Sequence, residues 1–173
     1  MSHKTISKRP RAKQPLARET WRDKYAPAPK GTLICKKCQN IYFKKRWHHS
    51  LDKKTKTKVS GKAGFTLCPA CVMVGNHRYE GELIVENVPE EIESEFVRAV
   101  KGYGRRAEEI NPQHRIIGFE KKRGFYRATV TENQMAARLG KHLKQVFKKV
   151  DLKITRSAEP FKLDRVFVSF SNW

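Results

Sequence analysis

The chain has 173 residues and a formal net charge of +21, from 38 basic and 17 acidic side chains. Only 38% of the residues are hydrophobic and 32% are charged, so a packed core is expected in only part of the chain. No apolar run approaches the roughly 20 residues of a transmembrane helix, and the basic segments lack an opposing apolar face, which argues against a membrane partner. This length fits a small metal module followed by a small α+β domain.

The positive charge is concentrated towards the N-terminus. Residues 1–62 hold 19 basic and only 3 acidic side chains. Such an excess repels itself unless a polyanion neutralises it, and nucleic acid is the favoured partner. The N-terminus has no apolar core of a secretory signal, so a reducing, cytoplasmic location is expected for its cysteines.

Residues 1–30 are predicted to form a basic arm that is disordered in isolation, because prolines interrupt it and few large apolar residues occur in it. Trp21 and Tyr25 alternate with Arg18 and Arg22, which suits stacking on RNA. Packing of Trp21 and Tyr25 against the metal module is an equal alternative. The residues predicted to bind RNA in this arm are Lys8, Arg9, Arg11, Lys13, Arg18, Trp21 and Arg22.

Residues 31–78 contain the pairs Cys35-Lys-Lys-Cys38 and Cys68-Pro-Ala-Cys71, which use all 4 cysteines of the chain. Two Cys-x2-Cys pairs supply the four thiolates of a closed, tetrahedral zinc site, so one structural Zn²⁺ in a zinc ribbon is predicted. The alternatives are two disulfides or a redox-active Cys-x-x-Cys, but no βαβ pattern surrounds either pair. His48, His49 and His77 are candidate substitute ligands.

A long basic insert separates the two cysteine pairs. Its aromatic and histidine residues lie among lysines, a pattern that favours a phosphate backbone over a merely solvated loop. The residues predicted to bind RNA in this module are Lys36, Lys37, Lys44, Lys45, Arg46, Trp47, His48, His49, Lys53, Lys54, Lys56, Lys58 and Lys62.

Residues 79–173 are predicted to form an α+β domain. A strand over 83–85 precedes a helix opened by Pro89 and stopped by Asn111-Pro112, and a hairpin follows over 114–131. Thr131 and Gln134 form a capping-box pair for a second helix. The apolar face predicted for that helix consists of Met135, Leu139, Leu143, Val146 and Phe147. Strands over 150–154 and 166–170 complete a ferredoxin-like β-α-β-β-α-β sandwich with an extra C-terminal strand.

The two cysteine pairs, Arg46-Trp-His and the terminal Val166-Phe-Val-Ser-Phe strand ending in Trp173 carry a family resemblance. The chain resembles a small, uncharacterised family of bacterial four-Cys zinc-ribbon proteins. More distantly, it is similar to the N-terminal part of the nonsense-mediated-decay-protein-three family, the export adaptor of the large ribosomal subunit. That resemblance implies binding to ribosomal RNA. The adaptor family has further Cys-x2-Cys pairs and domains that this sequence lacks, so only the zinc ligands carry over.

These features favour an RNA-binding, ribosome-associated protein that acts in ribosome assembly or hibernation. The partners expected are ribosomal RNA or the ribosome, with the α+β domain binding either RNA or a ribosomal protein, and no small-molecule substrate. A zinc-ribbon protein that binds DNA or the transcription machinery is the alternative, although no recognition helix is evident. An enzyme is not expected, because a four-Cys site leaves no open coordination position.

Overall fold

The computed structural model describes residues 31–50, 63–156 and 163–171. Within these ranges the chain forms two β-sheets and three α-helices. No helix of the described residues is long and apolar enough to cross a membrane. The predicted RNA contacts that lie outside the described residues are Lys8, Arg9, Arg11, Lys13, Arg18, Trp21, Arg22, Lys53, Lys54, Lys56, Lys58 and Lys62.

The first sheet carries the cysteine pairs. It consists of β1 (Leu33–Cys35), β2 (Ile41–Phe43), β3 (Arg46–His48) and β4 (Gly64–Thr66), in the order β3-β2-β1-β4. The strands β1 and β4 run parallel, whereas β1, β2 and β3 are antiparallel neighbours. Helix α1 (Pro69–Gly75) follows β4 directly and begins at the second cysteine pair.

The strands β2 and β3 form a tight hairpin. Phe43 pairs with Arg46, which leaves Lys44 and Lys45 as a two-residue loop. Both lysines have positive φ angles, 48° and 64°, as the central positions of a type I′ turn require. Asn-Gly usually occupies such positions, so the two lysines adopt this conformation at an energetic cost.

The second sheet contains β5 (Gly81–Glu86), β6 (Ile116–Lys122), β7 (Phe125–Val130), β8 (Val150–Arg156) and β9 (Asp164–Phe170). A short 3₁₀ turn (Glu90–Ile92) leads into α2 (Glu93–Ile110), and α3 (Asn133–Val146) joins β7 to β8. Gly124, with φ +84°, forms part of the tight β6–β7 turn. The predicted order of helices and strands in this part of the chain is therefore observed.

The last strand occupies a position that a sheet built only from two interleaved βαβ units does not have. The sheet order is β6-β7-β5-β9-β8, so β9 lies between β5 and β8. It runs parallel to β5 and antiparallel to β8. The final strand is thus central in the sheet, where its alternating Val166, Val168 and Phe170 are buried.

The helices α2 and α3 pack their apolar faces against one face of this sheet. Phe96 of α2 is fully buried and forms edge contacts with Tyr126 and Phe170, at centroid distances of 5.0 and 6.1 Å. Helix α3 approaches the sheet closely at Gly140, where a Cβ atom would lie 2.6 Å from Cγ1 of Val166. A larger residue at this position would push the helix off the sheet.

Two details of α3 correct the prediction from sequence. Glu132, not Thr131, is the N-cap residue, and its carboxylate accepts a hydrogen bond from the Gln134 amide. The Thr131 hydroxyl instead donates to the Gln113 carbonyl and accepts from the Arg115 amide. Val146, predicted on the core face, is 42% exposed because the helix ends there.

Candidate metal centre

The four cysteines converge on one point because β1 and β4 are parallel neighbours and each cysteine pair lies at the carboxyl end of one of these strands. Their four Sγ atoms all lie within 4.8 Å of one another, and Cys38 Sγ is 3.6 Å from Cys68 Sγ. Cys35, Cys68 and Cys71 are buried and Cys38 is half-buried. All four are free thiols, so the disulfide alternative is not observed. The cluster contains none of His48, His49 or His77.

Local backbone geometry holds each cysteine pair in place. At the first pair, the Gln39 amide donates to the Cys35 carbonyl and the Cys35 amide donates to the Asn40 carbonyl, with Gln39 at φ 61°. This tight turn returns Cys38 towards Cys35. At the second pair, Cys68 is the N-cap of α1 and Pro69 occupies the first helical position. The two pairs are joined because the Lys36 amide donates to the Thr66 carbonyl.

Backbone amides also point at the sulfur atoms. The Cys68 amide donates to Cys35 Sγ at 3.3 Å, and the Cys71 amide donates to Cys68 Sγ at 3.4 Å. Burial alone would raise the pKa of Cys35, but the amides of Cys38, Cys68 and Lys37 outweigh it and lower that pKa to about 6. Burial raises the pKa of Cys68 and of Cys71, and the neighbouring thiols add to the effect at Cys71.

This arrangement fits a tetrahedral divalent ion. Zinc–sulfur bonds of about 2.3 Å place the ligand sulfurs of a tetrahedron roughly 3.8 Å apart, close to the Cys38–Cys68 separation of 3.6 Å. Four thiols packed this closely cannot all ionise alone, because their charges repel one another in a buried site. A bound cation removes that penalty and releases the thiol protons. The cluster can therefore hold one metal ion with four sulfur ligands.

A residue next to the larger sheet completes the surroundings of the cluster. Arg115, just before β6, donates from Nη1 to Cys71 Sγ at 3.5 Å and from Nε to the Pro112 carbonyl at 3.0 Å. Its Nε also lies 3.3 Å from the Glu108 carboxylate. Burial alone would lower the pKa of Arg115, but Cys38, Glu108 and Cys71 beside it raise that pKa. The guanidinium therefore stays charged next to the sulfurs.

Charge balance also supports a metal–thiolate centre at this point. Arg115 Nη2 and Gln113 Nε2 are buried without a hydrogen-bond partner among the described residues. A buried guanidinium is costly unless negative charge lies nearby. Four thiolates around a divalent cation carry a net charge of about −2, which Arg115 partly neutralises.

Two further hydrogen bonds connect the cysteine module to the α+β domain. The Ala70 amide, in the first turn of α1, donates to Oε1 of Gln113 at 3.1 Å. His49, after the β2–β3 hairpin, donates from Nε2 to the carbonyl of Glu108 at 2.6 Å. Residues 108–115 thus contact the small module at three points, including the cysteine cluster itself.

The described residues predicted to bind RNA divide into two groups. Lys36, Lys37, Lys44, Lys45, Arg46 and His49 are exposed. Trp47 and His48 are half-buried. Trp47 packs against the cysteine cluster and stands 5.4 Å from the Tyr42 ring, so its side chain helps to build the module. The His48 ring donates from Nε2 to the Phe43 carbonyl.

No pattern in the sequence identified Arg115 and Gln113 as neighbours of the cluster. Both follow Asn111-Pro112, which was interpreted only as a helix stop. The available signal was a polar segment between a helix and a strand, which is common in loops and does not specify a contact 44 residues away.

Comparison of the chain with protein-family models, curated proteins and solved structures finds no match.

Proposed function

We propose that this protein is a zinc-ribbon RNA-binding protein that associates with the ribosome. One observation carries the proposal: the described residues around the cysteine cluster, 31–50 and 63–78, contain four lysines and two arginines and no aspartate or glutamate. A surface without any acidic side chain is unusual for a solvated protein, in which charges of both signs are mixed. It suits a ligand that presents phosphates on several sides, as folded RNA does.

Zinc is the proposed metal. Tetrahedral sulfur sites hold zinc or iron, and zinc has no redox chemistry that would require access to the ion. When bound, it would be held by Cys35, Cys38, Cys68 and Cys71, and would fix the two cysteine pairs relative to each other. With all four positions filled by sulfur, the centre is proposed as structural, and the protein as a binding protein, not an enzyme.

The α+β domain is proposed to be a variant of the ferredoxin-like plan, in which β9 is inserted between β5 and β8. Its contacts through Gln113, Arg115 and Glu108 hold it against the zinc module. We propose that it orients the basic surface on ribosomal RNA and contacts RNA or a ribosomal protein itself. A ribosomal partner implies a cytoplasmic location, which we propose for this protein.

Sedimentation of tagged protein from cells tests the ribosomal partner. The protein should move with ribosomal particles, preferentially the large subunit or whole ribosomes, in a low-salt gradient and should be released by high salt. Release by salt is expected because neutralised phosphates give up their counterions on binding. Protein that stays at the top of the low-salt gradient, or that follows DNA or RNA polymerase after RNase treatment, supports the transcription-associated alternative instead.

A further inference from the structure

A row of side chains crosses the small sheet on the face opposite Cys35, Tyr42 and Trp47. The strand register pairs Phe65 with Ile34, Ile34 with Ile41, and Ile41 with His48. Cross-strand partners lie on one face of a sheet, so these four side chains form a continuous row from β4 to β3. We call this set, Phe65, Ile34, Ile41 and His48, the cross-strand row.

The row is open to solvent at its β4 end. Phe65 is 64% exposed, and Leu67, just beyond β4, is 46% exposed. They are two of the four large apolar side chains that stand out as exposed among the described residues. Phe65, Ile34 and Ile41 belong to neither of the two apolar clusters of the described residues. The Phe65 ring, three residues before Cys68, therefore has no packing role among the described residues.

The surroundings of the row are cationic. Phe43 and Arg46 are cross-strand partners on the same face, and Lys44 Nζ lies 5.6 Å from the centre of the Phe43 ring. The exposed Lys36 lies beside β4, because its amide donates to the Thr66 carbonyl. The exposed Phe65 ring and the half-buried Phe43 ring, flanked by cations, match the stacking and phosphate contacts of single-stranded nucleic acid. The described residues 31–50 and 63–78 contain no carboxylate side chain.

We infer that the cross-strand row is a stacking platform for unpaired bases of single-stranded RNA, with Phe65 as its main stacking residue. The inference rests on the proposed RNA-binding function and adds the site and the class of RNA segment. Trp47, which the sequence pattern predicts to bind RNA, packs towards the cysteines, so Phe65 is the aromatic residue of the module that is free to stack. Lys36, beside β4, then contacts a phosphate next to the base stacked on Phe65. Arg46 and Lys44, at the β2–β3 hairpin across the sheet, contact phosphates further along the RNA strand.

Binding of a fluorescently labelled, short single-stranded RNA of mixed sequence to the full-length, zinc-loaded protein tests this inference. Phe65→Ala should weaken binding roughly 5- to 150-fold, the range expected for loss of one base–aromatic stack. Phe65→Tyr should bind within about 2-fold of the wild type, because a phenol ring also stacks. Val146→Ala, which shortens an exposed side chain on α3, is the matched control and should have no effect.

Three measurements separate this inference from the proposed function. Zinc content equal to wild type shows that Phe65→Ala is folded at the metal centre. The salt dependence of binding should keep its slope in Phe65→Ala, because no phosphate contact is lost. A fully paired RNA duplex should bind wild type and Phe65→Ala equally.

Equal affinity of Phe65→Ala and wild type for single-stranded RNA overturns the platform while leaving RNA binding by the basic surface intact. If the wild type binds no RNA at low salt, the proposed function itself fails. If RNA affinity is unchanged but Phe65→Ala no longer sediments with ribosomal particles, the row contacts a protein, and the stacking inference is wrong.

Discussion

The guanidinium of Arg115 lies 3.5 Å from Sγ of Cys71, although 44 residues separate them along the chain. This contact connects the cysteine cluster to the larger sheet, because Arg115 directly precedes β6. Glu108, on the last turn of α2, pairs with Nε of the same guanidinium at 3.3 Å. The relationship places a positioning residue for the metal centre outside the cysteine module.

Substitution of Arg115 should therefore weaken metal binding without removing a ligand. Partners that surround the ligands of a metal site typically contribute 10- to 100-fold in affinity, and Arg115→Met is expected to lie within roughly that range. Competition with a chromophoric zinc chelator measures the change. Arg105→Met, which alters an exposed arginine on α2, is the control and should retain wild-type affinity. Equal zinc affinity in both variants would show that the Arg115–Cys71 contact has no energetic role.

Removal of the metal should unfold the small module and leave the larger domain folded. The buried cluster of the module consists of Cys35, Cys68, Ala70 and Cys71, whereas sixteen buried residues form the core of the α+β domain. Structural zinc contributes about 10–16 kcal/mol in small zinc-binding peptides, more than so small an apolar cluster supplies. Amide NMR spectra after chelation should lose the dispersed signals of β1–β4 and keep those of β5–β9.

Substitution of the ligand Cys68 by serine should remove the metal, as chelation does. Elemental analysis of the purified wild type should find one zinc per chain, and Cys68→Ser should lose most of it, because a hydroxyl is a poor substitute for a thiolate ligand. Full zinc occupancy in Cys68→Ser, or iron in place of zinc in the wild type, contradicts the proposed centre.

The cysteine cluster was predictable because each pair is local in sequence. A Cys-x2-Cys spacing encodes its own tight turn, and four thiols in a basic chain have few other uses. The order of helices and strands was also predictable, since apolar periodicity and stop signals such as Asn111-Pro112 act over short distances. The N-cap at Glu132 was missed because Thr131 and Gln134 match the capping-box pattern, whereas glutamate is not a favoured N-cap residue.

Non-local features could not be predicted in the same way. The position of β9 beside β5 depends on which strand edge is free when the chain returns, and a sequence of alternating valines does not encode that. Trp47 was interpreted as an RNA contact because it lies among lysines. Its packing on the cysteines became apparent only with the β2–β3 register, which places it on the face of Tyr42.

The hairpin loop of Lys44 and Lys45 allows charge to be removed without harming the fold. Both residues have positive φ, so the double substitution Lys44→Asn, Lys45→Gly suits the turn better than the native residues do. The double variant should be at least as stable as wild type and should bind RNA more weakly. If both lysines contact phosphates, the slope of log K against log salt should become shallower by roughly 1.4, at about 0.7 for each contact with single-stranded RNA.

The control for this variant keeps the charge. Lys44→Arg, Lys45→Arg should retain the wild-type salt slope, because the number of phosphate contacts is unchanged. Wild-type slope in the Asn-Gly variant would mean that the hairpin tip does not touch RNA.

His142 should titrate below the usual histidine range. It packs against Tyr103 at a centroid distance of 5.3 Å, and Arg106 Nη2 lies 3.4 Å from its Nε2. Burial lowers the pKa of His142 from 6.5, and the charge of Arg106 lowers it further. Because the unfolded chain binds this proton more readily, the contribution to stability is complete above about pH 6.5 and is lost as the pH falls towards the folded-state pKa. NMR titration should show this pKa rising in Arg106→Gln, whereas an unchanged value would exclude the repulsion.

Glu82 is the most deeply buried charge among the described residues of the α+β domain, and its removal should be strongly destabilising. Its side chain is fully buried on β5, with Arg127 Nε 2.6 Å from Oε1 and Arg165 Nε 3.3 Å from Oε2. Arg127 also donates to the hydroxyl of Tyr79 at 2.9 Å. One carboxylate therefore joins β5 to its neighbours β7 and β9 on both sides.

Glu82→Gln keeps the shape but leaves two arginines without their shared counter-charge. Breaking a buried ion pair costs roughly 3–5 kcal/mol, and we expect about 2–4 kcal/mol here because Arg127 and Arg165 are 25% and 36% exposed. Glu120→Gln is the matched control, since that carboxylate also pairs with Arg127 but is 45% exposed, and it should cost less than about 1 kcal/mol. Denaturant unfolding followed by far-UV circular dichroism measures both. Equal midpoints for the two variants would show that the buried carboxylate contributes no more to stability than a surface one, and the three central strands would then depend on the apolar core alone.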